Sequence, residues 1–151
     1  MKIIKDNFKD RKVNNLLKKH FLELREVSPK GSTHVLDIEG LQHKSIKFWS
    51  IWENNKLIGC GALKILSKHH GEFKSIRVND EFRKKGRGKS IIYSLIEEAR
   101  KIQIKTISVE TGAGDFFLPA RKLFKSCGFQ ICKPFAHYLD DPNSKYYKLD
   151  I

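Results

Sequence analysis

The sequence predicts an α/β domain built on a sheet of mixed strand direction, in the order β-α-α-β-β-β-α-β-α-β-β. Three observations predict it. Apolar residues recur at helical spacing near the start, give way to β-branched and aromatic runs from Ile46 to Val78, and return to helical spacing from Ile91. A basic loop carrying two glycines lies at the second of these changes. No repeat, low-complexity tract or linker divides the 151 residues, a length that suits one domain over residues 1–151 with its own core.

Each element follows from its local pattern. Lys2–Lys5 can form a first strand. Val13, Leu16, Leu17, Phe21, Leu24 and Val27 fall on one helical face, and Ser28-Pro29-Lys30-Gly31 stops that helix. Val35–Gly40 reads as a short second helix closed by its glycine. Ile46–Trp52 and Leu57–Leu66, separated by Glu53-Asn54-Asn55-Lys56, read as a hairpin, and Lys68-His69-His70-Gly71 turns the chain into a strand over Glu72–Val78. Ile91, Ile92, Leu95, Ile96, Ala99 and Ile102 mark a helix from about Gly88 to Lys101. Lys105–Glu110 is a strand, and Phe117–Cys127 a helix with Pro119 in its first turn and Gly128 as a left-handed cap. Asp115 suits the N-cap of that helix. Phe129–Cys132 and Lys145–Leu149 supply two last strands. Phe48 and Trp52 share a strand face, which goes to the core; core packing is also the reading for Trp49, with an acceptor pocket as its alternative.

Composition narrows the function. Thirty Lys and Arg against 17 Asp and Glu give a net charge of +13, a field that attracts nucleic acid, an anionic membrane or a phosphorylated cofactor. The apolar run Leu57–Leu66 is broken by Gly59, Gly61 and Lys64 and is too short to span a bilayer. Met1–Asp6 lacks the apolar centre of a signal peptide, so a cytoplasmic location is expected. Cys60, Cys127 and Cys132 are odd in number and lack C-x-x-C spacing, which suits small buried hydrophobes rather than disulfides or zinc. His34, His69 and His70 read as loop residues, and no metal site is expected. Nucleic acid is disfavoured as a partner: the cations are not interleaved with aromatics, and no helix-turn-helix pattern is evident.

The charge is concentrated in Arg83-Lys84-Lys85-Gly86-Arg87-Gly88-Lys89-Ser90. Gly88-Lys89-Ser90 ends like a nucleotide P-loop, but the glycine required five residues earlier is Arg83. A dinucleotide fingerprint starting at Gly86 fails at Ile91. The context still favours phosphate, because a strand leads into a glycine loop that opens a helix. Free N–H groups and the helix dipole favour an anion there, and the glycines let a phosphate reach the backbone.

These residues carry a resemblance. Arg83-Lys84-Lys85-Gly86-Arg87-Gly88 matches the R/Q-x-x-G-x-G/A loop of the GNAT superfamily of acyl-CoA-dependent N-acyltransferases, and is preceded by the hydrophobic strand "SIRV". "ARKLFKSCGF" at residues 120–129 is similar to that family's second signature, A-x-x-L-Y-x-x-x-G-F, and the element order is the family's over essentially the whole chain. "ETGAGDFFLPARKLF" and "DPNSKYYKL" resemble a bacterial branch of acetyltransferases. The resemblance implies a mostly antiparallel sheet in which strands 4 and 5 splay apart. It implies acetyl-CoA as cosubstrate, with its pyrophosphate on the N–H groups of residues 84 to 89 and its pantetheine along Ile76, Arg77 and Val78. A backbone N–H near Ile76 or Val78 would polarise the thioester carbonyl. The acceptor would be a small-molecule or peptide amine, and the protein a monomer or homodimer.

Catalytic residues follow from the same resemblance. Glu72 matches the position of the glutamate base in histone-acetylating members; the alternative is a surface carboxylate at a strand end. Glu110 could face the same cleft, anchoring substrate or capping the turn with Thr111. The second signature's tyrosine, which protonates the departing thiolate, is Phe124 here. Tyr138, Tyr93 and Cys127 are possible substitutes, although Tyr93 and Cys127 suit core packing. Phe124 also keeps open a second reading, a CoA-binding protein without catalysis.

Overall fold

The computed structural model describes residues Met1–Ile151. The elements are β1 (Lys2–Lys5), α1 (Arg11–Val27), α2 (Ile38–Leu41), β2 (Ile46–Glu53), β3 (Lys56–Ser67), β4 (His70–Val78), α3 (Arg87–Lys101), β5 (Thr106–Gly112), α4 (Leu118–Ser126), β6 (Gln130–Ile131) and β7 (Ser144–Asp150). One seven-stranded sheet runs in the order β1-β2-β3-β4-β5-β7-β6. Every pairing is antiparallel except β4 with β5.

Helices cover both faces, which explains why β2 and β3 are apolar without clean alternation. On one face, Val13, Leu16 and Leu17 of α1 and Leu41 of α2 pack with Phe48, Leu57 and Cys60. On the other, Ile91, Ile92 and Leu95 of α3 and Phe124 of α4 pack with Trp49, Ile58, Leu63 and Phe73. Trp49 is therefore core, as is Phe48 on the opposite face. Cys60 and Cys127 are buried free thiols, whereas Cys132 is half-buried.

Three local expectations need correction. Gly40 does not close α2; it lies inside that helix, its N–H donating to the Asp37 N-cap at 2.8 Å. Asp115 does not cap α4, because a 3-10 turn over Asp115–Phe117 intervenes and Phe117 takes the N-cap position. Tyr93 is 48% exposed, since the buried stripe of α3 runs through Ile91, Ile92, Leu95, Ile96 and Ala99 and leaves it outside. The cap of α1 is Asp10, whose carboxylate accepts from the N–H groups of Lys12 and Val13.

Candidate active site

The site begins where two parallel strands part. β4 and β5 are paired from His70↔Thr106 to Phe73↔Val109 and no further. Beyond that point Lys74–Val78 pairs only with β3, while Glu110–Gly112 pairs only with β7. A cavity of about 580 Å³ opens in the gap, lined by both separated strand ends, the basic loop, the start of α4 and residues 32–35.

A bulge in β4 decides which side chains enter it. Lys74 pairs with Ala62 and Arg77 with Cys60, so Gly61 alone opposes Ser75 and Ile76. Ser75 takes φ +53° to absorb the extra residue. The bulge reverses the alternation of the strand. Phe73, Ile76 and Val78 pack toward α3, whereas Glu72, Lys74 and Arg77 lie on the α1 face. There the Arg77 guanidinium is buried and paired with Glu23 at 2.7 Å and Asp80 at 3.3 Å. Its side chain supports α1, leaving only its backbone to face the parted strands.

Glu72 is 2% exposed, so it is no solvated strand-end carboxylate. Tyr138 Oη donates to Glu72 Oε2 at 2.5 Å, and Lys74 Nζ approaches the same oxygen at 3.4 Å and the tyrosine oxygen at 3.1 Å. Glu72 Oε1 takes no protein hydrogen bond. Burial, then the Glu72 charge, raises the Tyr138 pKa far above the usual phenol value. Tyr138 thus remains a donor to Glu72 and does not line the cavity, which separates it from the departing-group end. Glu110 lines the cavity, accepts from Ser144 Oγ at 2.7 Å, and has its pKa raised by burial. Thr111 donates to the Gly112 carbonyl instead of bonding Glu110. Phe124 also borders the cavity, buried against Phe129 with ring centroids 5.2 Å apart; it has no proton to offer.

At the other end, α3 starts at an anion-binding geometry. Its N-cap, Gly86, has φ +76°, and no side chain caps the helix. The N–H groups of Lys84 to Lys89 donate to no turn or cap acceptor. A Cβ at Gly86 would meet nothing within 4 Å, so this face of the loop is open. Gly88 has another reason to be glycine: a Cβ there would lie 2.7 Å from Leu123 Cδ2, where α3 packs on α4. Two of the loop's cations are already engaged, Arg87 with both oxygens of Glu53 and Arg83 with Asp80. Lys84, Lys85 and Lys89 have no acidic partner; of these, Lys84 and Lys89 border the cavity. Lys85, exposed at the loop tip, and Ser90, within the first turn of α3, do not.

Sequence reasoning missed Lys74 and the buried histidine His20. Burial and the Arg77 charge lower the His20 pKa to about 4, and its Nδ1 is enclosed without a partner. The i, i+3 placement of His20 beside Leu17 on the apolar face of α1 was the available signal. His70 Nε2 lies 2.7 Å from Ser108 Oγ and His69 Nδ1 2.8 Å from the Gln103 carbonyl, both local supports of the strand ends. No helix is long and apolar enough to cross a membrane.

Comparison with known proteins agrees with this architecture. The profile of the Acetyltransferase (GNAT) family matches residues 12–129. An uncharacterised N-acetyltransferase of Bacillus subtilis, YsnE, is 45% identical over 141 residues, covering 93% of each chain. A Bacillus subtilis acetyltransferase solved in complex with CoA superposes with a TM-score of 0.74 at 20% identity, over 99% of this chain and 98% of that one. A GNAT acetyltransferase from Elizabethkingia anophelis, solved with acetyl-CoA bound, gives 0.72 at 17% identity over 99% and 97%. With a seven-stranded sheet that parts between its two parallel strands above a glycine loop, this chain belongs to the GNAT family of acetyltransferases.

Proposed function

We propose that the protein transfers an acetyl group from acetyl-CoA to a primary amine by direct attack, both substrates being bound together. The observation that carries this reading is the Ser75 bulge, which turns Glu72 into the same cavity that the parted strands and the uncapped helix share. The residues fit the cosubstrate. Gly86 presents an open backbone, the N–H groups of residues 84 to 89 lack acceptors, and Lys84 and Lys89 are free cations beside them. Relatives solved with CoA or acetyl-CoA share the fold.

Acetyl-CoA supplies an activated acyl carbon, whose bond to sulfur is replaced by one to the amine nitrogen. The chain's own residues handle binding and protons. Glu72 and Glu110 provide negative charge for an incoming ammonium. The free Oε1 of Glu72 accepts its proton, directly or through water, leaving the neutral amine that can attack. Tyr138 and Lys74 fix the other oxygen of Glu72 and so orient the carboxylate. Free N–H groups on the unpaired edge of β4 polarise the acyl oxygen. Phe124 cannot donate a proton to the departing sulfur, and a thiol pKa of about 8.5 lets that sulfur leave as the thiolate.

The test is Glu72→Gln, which keeps size and hydrogen bonding but removes the base. Turnover should fall by roughly 10²–10⁴-fold, the usual contribution of a positioned acid or base. CoA affinity should hold. Unchanged turnover would reassign Glu72 as structural.

A further inference from the structure

Lys74 brings an amine of its own into the cavity. It is the first residue of β4 beyond the last pairing with β5, so it stands at the fork of the two strands. Glu72 and Lys74 both precede the Ser75 bulge and therefore share a face. Lys74 Nζ lies 3.4 Å from Glu72 Oε2 and 3.1 Å from Tyr138 Oη. Tyr138 gives its proton to Glu72, so its oxygen is left to accept from Lys74. The ammonium is thus held against the carboxylate proposed to deprotonate the acceptor, at the oxygen beside the free one.

Burial sets this amine apart from the others near the cosubstrate loop. The Lys74 side chain is 10% exposed, whereas Lys84, Lys85 and Lys89 are exposed. A reagent in bulk solvent meets the loop lysines first; a group seated inside the cavity meets Lys74. The ammonium also has freedom to move. It ends a flexible four-carbon stem, and two of its three N–H groups have protein acceptors while the third has none.

We infer that Lys74 is an internal acetyl acceptor: with no amine substrate bound, the protein acetylates its own Lys74 from acetyl-CoA. The inference rests on the acetyl-transfer reading above. An acceptor nitrogen is expected at Glu72 Oε1, and Lys74 Nζ already stands at Oε2, so a swing across one carboxylate brings it to the same place. An amine tethered there needs no binding step and reacts at high effective concentration. Glu72 takes the first proton from the ammonium, and the neutral nitrogen attacks the acetyl carbon. The new C–N bond replaces the C–S bond, the nitrogen gives its second proton to water, and CoA departs as the thiolate. The product is a neutral amide inside the cavity, so the reaction stops at one acetyl group per chain.

Mass spectrometry of the full chain tests this without knowing the natural acceptor. One sample receives acetyl-CoA, a second acetyl-CoA with excess CoA, and a third N-acetoxysuccinimide, an acetyl donor with no CoA portion. Acetyl-CoA should add one acetyl group per chain, and peptide mapping should find it on Lys74 ahead of Lys84, Lys85 and Lys89. N-acetoxysuccinimide should reverse that order. Excess CoA should slow the labelling of Lys74 by about tenfold or more, and Glu72→Gln by roughly 10²-fold or more. Lys74→Arg should abolish the addition of one acetyl group per chain, with a calorimetric titration of CoA showing that the variant is folded. Lys74 left unlabelled by acetyl-CoA, or the same order of labelling from both donors, overturns the inference and leaves the acetyl-transfer reading standing. Labelling of Lys74 at an unchanged rate in Glu72→Gln overturns it too. Failure of CoA to bind the parent overturns that reading first, and the inference with it.

Discussion

Gly86 and Gly88 belong to one motif, yet the structure gives them different work, and a pair of alanine substitutions separates the two roles. Gly86 caps α3 at φ +76°, with open space where a Cβ would be. Alanine there meets no neighbour, so the stability cost is the left-handed backbone alone, about 1–2 kcal/mol. For a chain of this size that lowers Tm by roughly 2–8 °C, at about 2–4 °C per kcal/mol. The added methyl also stands on the open face where a phosphate would approach, so CoA affinity should fall by about tenfold or more, the equivalent of about 1.4 kcal/mol. Gly88→Ala puts its Cβ 2.7 Å from Leu123 Cδ2, a side-chain tip that can swing aside. Its packing cost of about 1–3 kcal/mol is partly offset by about 1 kcal/mol of helix propensity. Its CoA affinity should stay within about threefold of the parent, because the methyl points into the α3–α4 contact and not at the anion. Calorimetric titration of CoA at 15 °C, with both variants folded, reads the difference. Equal losses of affinity at the two positions, or none at Gly86, would refute the division of roles.

Two further outcomes are expected. Phe124→Tyr should change turnover by less than about tenfold, since the thiolate can leave unprotonated at a thiol pKa of about 8.5; activity appearing only in the variant would favour the CoA-binding protein without catalysis. His20, with its pKa lowered from 6.5 to about 4, binds protons better in the unfolded chain, so its stabilising contribution is complete above pH 6.5 and drains away as pH falls toward 4. At about 1.4 kcal/mol per pH unit the loss approaches 3 kcal/mol, and urea unfolding at pH 7.5 and 4.5 should show it in the parent and not in His20→Gln.

The parts of the fold carried by local chemistry were legible in the sequence. The apolar stripe of α1, the left-handed Gly128 after α4 and the basic glycine loop all depend on residues within a turn or two of one another. What could not be read depends on distant partners. Ser75 adopts φ +53° because β3 and β4 are out of step there, and serine carries no preference that announces it. Which face Glu72 takes depends on that one residue. Tyr138 lies 66 positions from Glu72, so no spacing rule links them, and Lys74 was hidden in an ordinary strand. The reason for Gly88 was equally concealed, because glycine in an anion loop and glycine under Leu123 look the same in sequence. Tyr93 was different: the stripe through Ile91, Leu95 and Ala99 already excluded it.

The net charge of +13 and the two cavity carboxylates, buried Glu72 and half-buried Glu110, bear on different halves of the same recognition problem. Of the five cations between Arg83 and Lys89, Arg83 and Arg87 are tied to Asp80 and Glu53 and hold the loop in place. The three lysines remain to attract a polyphosphate, an effect that salt weakens over a Debye length of about 8 Å at physiological ionic strength. Attraction alone would serve nucleic acid equally well. On the proposed reading selectivity comes from the uncapped N–H groups and the open face at Gly86, which suit a compact phosphate group and would be screened little once it is seated. The same positive field repels a cationic amine at long range, so the acceptor must be held locally. On the proposed reading Glu72 and Glu110 do this where the strands part, with Lys74 already 3.4 Å from Glu72. On that reading a basic exterior and an acidic interior end are complementary: the first gathers the anionic cosubstrate, and the second favours an amine beside it.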